Sequence, residues 1–330
     1  MSKDVTMRDI AKKLNMSAVS VSKAISGKDG VSAPVRELVL KTAAEMGYVY
    51  TSPALSKAGA RKIGVLVSHA FISDSAFYSQ MFNMLSMMFA RDGHVCTLEI
   101  LNQMEEKEGV LPKKAENGYY EGLVVLGPMS DAVMSKLLYM ETPCVYMDNY
   151  TVKDSADCVV SDSVFGSHML TNYLIEKGFK KIAFVGSIKA TNSIMDRYLG
   201  YLKGMMTNGL EIRSEYVIAD RDSDGILCDI EIPWDMPEAF VCNCDETAYH
   251  LLEQLRRMKV KVPEDVSVVG FDDYVFATIS NPKLTTFRVD MEKMCEAALG
   301  LMNEKFVNPH IFHPRIVVGG EIVIRDSVKE

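Results

Sequence analysis

In this 330-residue chain a set of polar residues sits just past apolar, strand-like runs, and their types suit one kind of chemistry. Asp148 follows "PCVYM", Asp162 follows "CVV", Asn243 and Asp245 follow "AFVC", and Asp272 follows "VVGF". His69 and Phe71 follow the run "IGVLVS", and Arg197 stands at the expected start of a helix. Carboxylates and amides facing one another across a cleft, with one fixed cation, bind neighbouring hydroxyls at once, which suits a sugar or a similar small polar ligand. Any one Asp at a strand end reads equally well as a helix cap or turn residue; the set is what points to a ligand.

A second chemistry lies at the other end. Residues 1–62 hold eleven Lys and Arg against five Asp and Glu, a charge of +6 in a chain whose total is −8. One basic end on an otherwise acidic chain fits a meeting with a polyanion. Within it, "MRDIAKKLNMSAVSVSKAIS" is patterned as two short helices. Thr6 can cap the first, Met7 to Leu14, and Ser17 the second, to about Ser26; a third is expected from Ser32 to Met46, with Val35, Leu38, Val39 and Thr42 inward. That is the helix-turn-helix arrangement, whose second helix lies in the major groove of DNA. Its first turn offers Ala18, Val19 and Ser20, flanked by Ser22, Lys23 and Ser26, so that small side chains permit close approach while lysine and serine reach bases or phosphates.

The elements that must position the strand-end residues begin near Ile63. Two sets of four apolar runs alternate with amphipathic stretches at 76–92, 163–177, 196–208 and 246–258, which predicts parallel sheets with helices on both faces, in two lobes around a cleft. "VYTSPALSKAGARK" joins the parts; a helix of about six residues after Ser52-Pro53 would order only when docked, and a flexible linker is the alternative. The expected organisation is therefore a DNA-binding domain at 1–50, a hinge connector at 51–62 and a two-lobed effector-binding and dimerisation domain at 63–330.

The segment "MRDIAKKLNMSAVSVSKAISGKDGVSAPVRELVLKTAAEMGYV" resembles the DNA-binding module of the lactose-repressor (LacI/GalR) family, and "KGFKKIAFVG", "DRYLGYLKGM", "VPEDVSVVGFDD", "NPKLTTFRVD" and "EIVIRDS" resemble its effector domain. The resemblance implies a periplasmic-binding-protein-like fold, a homodimer, a double-stranded DNA operator and a sugar-like effector. It puts the base-reading pair on Ala18 and Val19, with Ser20, Lys23 and Ser26 at the positions of the family's threonine, arginine and asparagine. It makes Leu55 the candidate minor-groove wedge. Effector contacts fall on Asp148, Asp162, Arg197, Asp245 and Asp272; Asn243 stands beside Cys244, which takes the family's asparagine position, and Arg221 lies where other members place an aromatic. Residues 220–237 lack the helix usual in that interval.

Other chemistry finds little support. There is no G-x-G-x-x-G after a strand, no phosphate-binding G-x-x-x-x-G-K-[ST] and no H-E-x-x-H. Cys242-x-Cys244 has no second Cys or His pair, so neither a metal nor a cofactor is expected. Seven scattered cysteines suit reduced thiols, and no run approaches the roughly 18 apolar residues of a membrane span, so the expected location is the cytoplasm. Met81, Leu85, Met88 and Phe89 form a helical stripe read as core or dimer face. With "EIVIRDS" close to the end of the sequence, a dimer is expected. The resulting expectation is a ligand-responsive transcription regulator, probable repressor by resemblance, and not an enzyme; the alternative is a cytosolic solute-binding module.

Overall fold

The computed structural model describes residues 7–14, 16–25, 31, 32, 35, 38, 39, 42, 60–72, 76–151, 157–222, 225–309, 311 and 315–330. The chain divides into two compact units, Met1–Ala60 and Arg61–Glu330.

In the first unit, α1 (Met7–Leu14) and α2 (Ala18–Ile25) bury Ile10, Ala11, Val21 and Ala24 with Val39, and Leu14, Met16, Val31 and Val35 close round them. Asp9 in the first turn and Lys12 and Lys13 in the last turn of α1 complement the helix dipole. Val35, Leu38, Val39 and Thr42 are helical, and the Thr42 hydroxyl donates to the Leu38 carbonyl at 2.8 Å. Leu38, expected inward, is exposed, so the buried face there is narrower than the apolar spacing implied. The cap expected at Thr6, Ser26 and the wedge candidate Leu55 lie outside the described residues.

The second unit holds two six-stranded sheets. The first takes β1 (Lys62–Ser68), β2 (Val95–Leu101), β3 (Gly122–Leu126), β4 (Cys144–Met147), β5 (Cys158–Ser161) and β11 (Ile316–Val318), in the order β11-β5-β4-β3-β1-β2. The second takes β6 (Ile182–Val185), β7 (Val217–Ile218), β8 (Ala239–Cys242), β9 (Ser267–Asp272), β10 (Thr285–Val289) and β12 (Gly320–Val323), in the order β12-β10-β9-β8-β6-β7. As expected the sheets are built of parallel strands, save β12, which runs antiparallel to β10. The eight apolar runs all became strands; β5, β10, β11 and β12 are additional, being short or, in β10, interrupted by Arg288.

The longer helices of this unit, numbered onward, are α3 (Ala76–Arg91), α4 (Asp131–Leu138), α5 (Ser163–Glu176), α6 (Asn192–Thr207), α7 (Asp245–Arg257) and α8 (Met291–Val307), of which α5 and α8 lie on connections between lobes. After β5 of the first lobe, α5 packs on the second lobe; after β10 of the second, α8 packs on the first, burying Met294, Cys295, Ala298, Leu301 and Met302. Each lobe is thus completed by a segment from the other half, and the chain crosses again between β11 and β12. Met81, Leu85 and Phe89 of α3 are buried in the first lobe's core, with Met88 packed at its edge. The second lobe's α6 starts at Asn192, capped by Thr191, so Arg197 sits in its second turn and not at its start.

Close packing of α5 on α6 depends on glycine. A methyl group on Gly200 would overlap the Val164 carbonyl oxygen and lie 2.8 Å from the Ser167 Cβ, whereas one on Gly300, on the exposed face of α8, would meet nothing. Gly200→Ala should therefore lower the urea midpoint, at a cost of about 1–3 kcal/mol for overpacking. Gly300→Ala should raise it by up to about 1 kcal/mol through helix propensity. Equal shifts in the two variants would contradict this packing.

Candidate functional site

At the carboxyl end of β4 the backbone turns through Asp148 with φ 53°, and at the end of β9 through Asp272 with φ 109°. Positive φ is costly for residues other than glycine and persists only where the surroundings enforce it. β4 and β9 hold the same place in their sheets, fourth in the orders β2-β1-β3-β4 and β7-β6-β8-β9. The two strained aspartates therefore occupy equivalent positions, one in each lobe.

Between them lies Arg197. One guanidinium nitrogen donates to Asp272 Oδ1 at 2.9 Å and another to the Asn243 carbonyl at 2.6 Å, while the guanidinium stacks 4.0 Å from the centre of the Phe271 ring. The Arg197 Nε is buried without a hydrogen-bond partner in the structure. Asp148 accepts from the Tyr78 hydroxyl of α3 at 2.8 Å. Asp148, Arg197 and Asp272 are 6%, 5% and 6% exposed. Burial raises the Asp148 carboxyl above its ordinary range, with Arg197 opposing. Burial likewise pushes Asp272 up to about 7, against Arg197 and with the help of Asp148. In both, burial outweighs the opposing charge of Arg197.

A second set of bonds spans the lobes nearby. Tyr150, just past β4, donates its hydroxyl to Asp196 of α6 at 3.0 Å, and Arg315 lies 4.4 Å from the centre of the Tyr150 ring and 3.4 Å from Asp196 Oδ2. The Asn192 amide donates to the Tyr150 carbonyl at 2.7 Å and to Asn149 Oδ1 at 3.2 Å. These groups enclose a cavity of about 10 Å³ lined by Asp148, Tyr150, Ser161, Ser163, Asn192, Ser193 and Asp196. A hollow of about 680 Å³ reaches Asp272 from the side of the crossing strands, with Gln80 and Met84 of the first lobe also in its wall, and there Arg288 pairs with Asp273 and Glu321 and Lys293 with Asp290.

The remaining expected effector residues are placed differently. Asp162 caps α5, accepting from the Phe165 N–H at 3.1 Å, which is the helix-cap alternative. Asp245 is wholly buried at the start of α7, where its oxygens accept from the Thr286 hydroxyl at 2.6 Å and the Tyr274 N–H at 3.1 Å. Arg221 pairs with its neighbour Asp220, which also accepts from the Asn243 amide and the Thr247 hydroxyl, both at 2.6 Å. Burial alone would raise Asp220, but Arg221, Thr247, Asn243 and the Ser187 N–H together hold it below the carboxylate range. Phe71 meets Tyr78 edge-on at 5.9 Å, and His69 is exposed. The structure thus brings Asp148, Arg197 and Asp272 together with Phe71 at one remove, while Asp162, Arg221, Asn243 and Asp245 serve their own lobes.

Sequence reasoning missed Tyr78, Tyr150, Asn192 and Asp196. Asp196 and Tyr150 lay beside residues already singled out, whereas Tyr78 was hidden in a methionine-rich helix read as core or dimer face. In the first unit, Ser17 caps α2, its Oγ accepting from the Ser20 N–H at 3.0 Å and lying 2.8 Å from the Ser20 Oγ. Ala18, Val19 and Lys23 are exposed, Val19 at 66%, and Ser20 is half-buried. The side chain of Ser22 lies outside the described residues.

Two lobes of parallel sheet crossed three times by the chain, with charged residues meeting at the strand ends, define a periplasmic-binding-protein-like domain, and residues 171–328 match the family model of that description. Over 333 residues, 98% of this chain and 99% of the relative, the sequence is 25% identical to the HTH-type transcriptional repressor PurR of Vibrio vulnificus (strain CMCP6). The fold is similar to a transcriptional regulator CelR–cellobiose complex (22% identity, TM-score 0.67, 98% of this chain and 99% of that one). It is likewise similar to the lac repressor dimer bound to operator and the anti-inducer ONPF (19% identity, TM-score 0.65, 99% and 100%). Over nearly its whole length the sequence is thus similar to a transcriptional repressor, and the fold to that of the lac repressor.

The shared burial of Asp148 and Asp272 gives a pH signature. A carboxyl whose pKa is higher folded than unfolded binds its proton more tightly in the folded chain, so its contribution is largest at low pH. That contribution falls as pH rises from about 4 toward the raised value. Relative to wild type, Asp148→Asn should therefore gain stability as pH rises from about 4 through the raised value. Asparagine tolerates the left-handed backbone, so the variant folds. A difference in urea midpoint that stays flat with pH would contradict the arrangement.

Proposed function

We propose that this chain is a ligand-responsive DNA-binding transcription regulator, acting as a repressor in the cytoplasm. It binds a pseudo-palindromic operator as a homodimer through the exposed face of α2. A small, sugar-like effector occupies the cleft between the lobes, where Asp148, Arg197 and Asp272 meet. The observation that carries this reading is the joining, in one chain, of a capped α2 exposing Ala18, Val19 and Lys23 with a two-lobed domain whose charged strand ends face each other. Relatives support it: one is named a transcriptional repressor, another is described as a dimer bound to operator, and a third as a complex with cellobiose. We read the chain as a regulator and not an enzyme, in keeping with those names. Among the described residues no helix is long and apolar enough to cross a membrane.

The mechanism follows from two-state linkage. A ligand that binds one disposition of the lobes better than another shifts the balance between them, and DNA affinity changes by the difference. The α2 contacts divide by chemistry: Ala18 and Val19 are small enough to approach base edges, Ser17 and Ser20 can donate to phosphate oxygens, and Lys23 can reach a base or phosphate.

Selection from random duplex DNA by the full-length protein at two salt concentrations tests the reading. An enriched palindrome whose binding weakens steeply with salt is expected; no enrichment would sink it. On the selected duplex, Lys23→Ala should bind at least about tenfold more weakly. Unchanged affinity would remove Lys23 from the interface.

A further inference from the structure

The cleft's charges are unequal, and this bears on what it accepts. The arginines near it are paired with carboxylates: Arg197 with Asp272, its Nε alone lacking a hydrogen-bond partner, Arg315 with Asp196 and the Tyr150 ring, and Arg221 with Asp220, so that Asp148 is the carboxylate left without an ion-pair hydrogen bond. Lys189, on the loop after β6, is exposed, as is His69 after β1, so water and salt screen whatever charge they carry. The small cavity between the lobes is lined by two carboxylates, Asp148 and Asp196, by the hydroxyl side chains of Ser161, Ser163, Ser193 and Tyr150, by Asn192 and by Val160; no cationic residue is among its lining. Asp148 accepts its hydrogen bond from the neutral Tyr78 hydroxyl, which holds the carboxylate without neutralising it.

Resting on the reading of this cleft as the effector site, we propose that it takes a polyhydroxylated ligand that is neutral or bears an amine, and rejects the same molecule carrying a phosphate or carboxylate. Asp148 sets this rule. Hydroxyl and ammonium hydrogens donate to its carboxylate, whereas a phosphate ester at neutral pH brings acceptors and negative charge to a buried group of the same sign. Asp196, already paired with Arg315 and Tyr150, adds acceptor capacity but little net charge.

The test is a thermal-shift screen of the full-length protein against matched sets of hexoses, their 2-amino analogues and their 6-phosphates, with common disaccharides added, followed by calorimetry on each compound that binds. Neutral or amino compounds should bind, and the phosphate of any binder should be at least about a hundredfold weaker. In Asp148→Asn that ratio should narrow by about tenfold or more, because the amide keeps the shape and removes the charge. A phosphate that binds as well as its parent sugar, or a ratio unchanged in Asp148→Asn, would overturn the charge rule while leaving the cleft as the effector site. Failure of compounds of every charge class to bind would instead contradict the cleft reading on which the rule depends.

Discussion

Burying charge is the constraint on which the second unit turns. A carboxylate leaves water at a cost of several kcal/mol unless partners replace the lost solvation, and here Asp148, Asp196 and Asp272 are all buried where the lobes meet. Arg197 and Arg315 return part of that cost, and the Tyr78 and Tyr150 hydroxyls more. What remains is an interface whose stability depends on which donors reach Asp148 and Asp196. A molecule rich in hydroxyls can supply such donors, which is the physical basis of the ligand response proposed for this cleft.

The duplicated sheet order explains how one chain arranges this. Equivalent strands β4 and β9 end in equivalent left-handed aspartates, and the crossing helices α5 and α8 tie each lobe to the other's strands. Asp162, at the end of β5, instead caps the helix that follows. Position at a strand end is therefore insufficient for a place in the cleft.

That distinction marks how far the sequence was legible. The eight long apolar runs and the main helices could be read because hydrophobic periodicity is a local property. The added strands could not: β11 and β12 are held by pairing with distant partners, and β10 carries Arg288 where an apolar residue would have announced it. Within the site, Asp148, Arg197 and Asp272 were legible as strand-end or helix-start charges. Asp245 and Arg221 were equally visible, and what could not be read was their bonding within the second lobe, to Thr286 for one and Asp220 for the other. Tyr78 was unreadable because nothing in "SAFYSQMF" distinguishes a tyrosine that reaches across to Asp148 from one that fills a core.

If the cleft and the DNA-binding helix are energetically linked, linkage demands reciprocity: a ligand that changes operator affinity by some factor must have its own affinity changed by that factor. The most direct measurement is calorimetric titration of one cleft ligand into the full-length protein, free and saturated with its selected duplex. The account predicts two different dissociation constants, whose ratio equals the ligand's effect on operator affinity and lies in the range of about five- to 150-fold typical of such coupling. Identical constants with and without DNA would show that the cleft does not speak to α2, and would contradict the account at its centre.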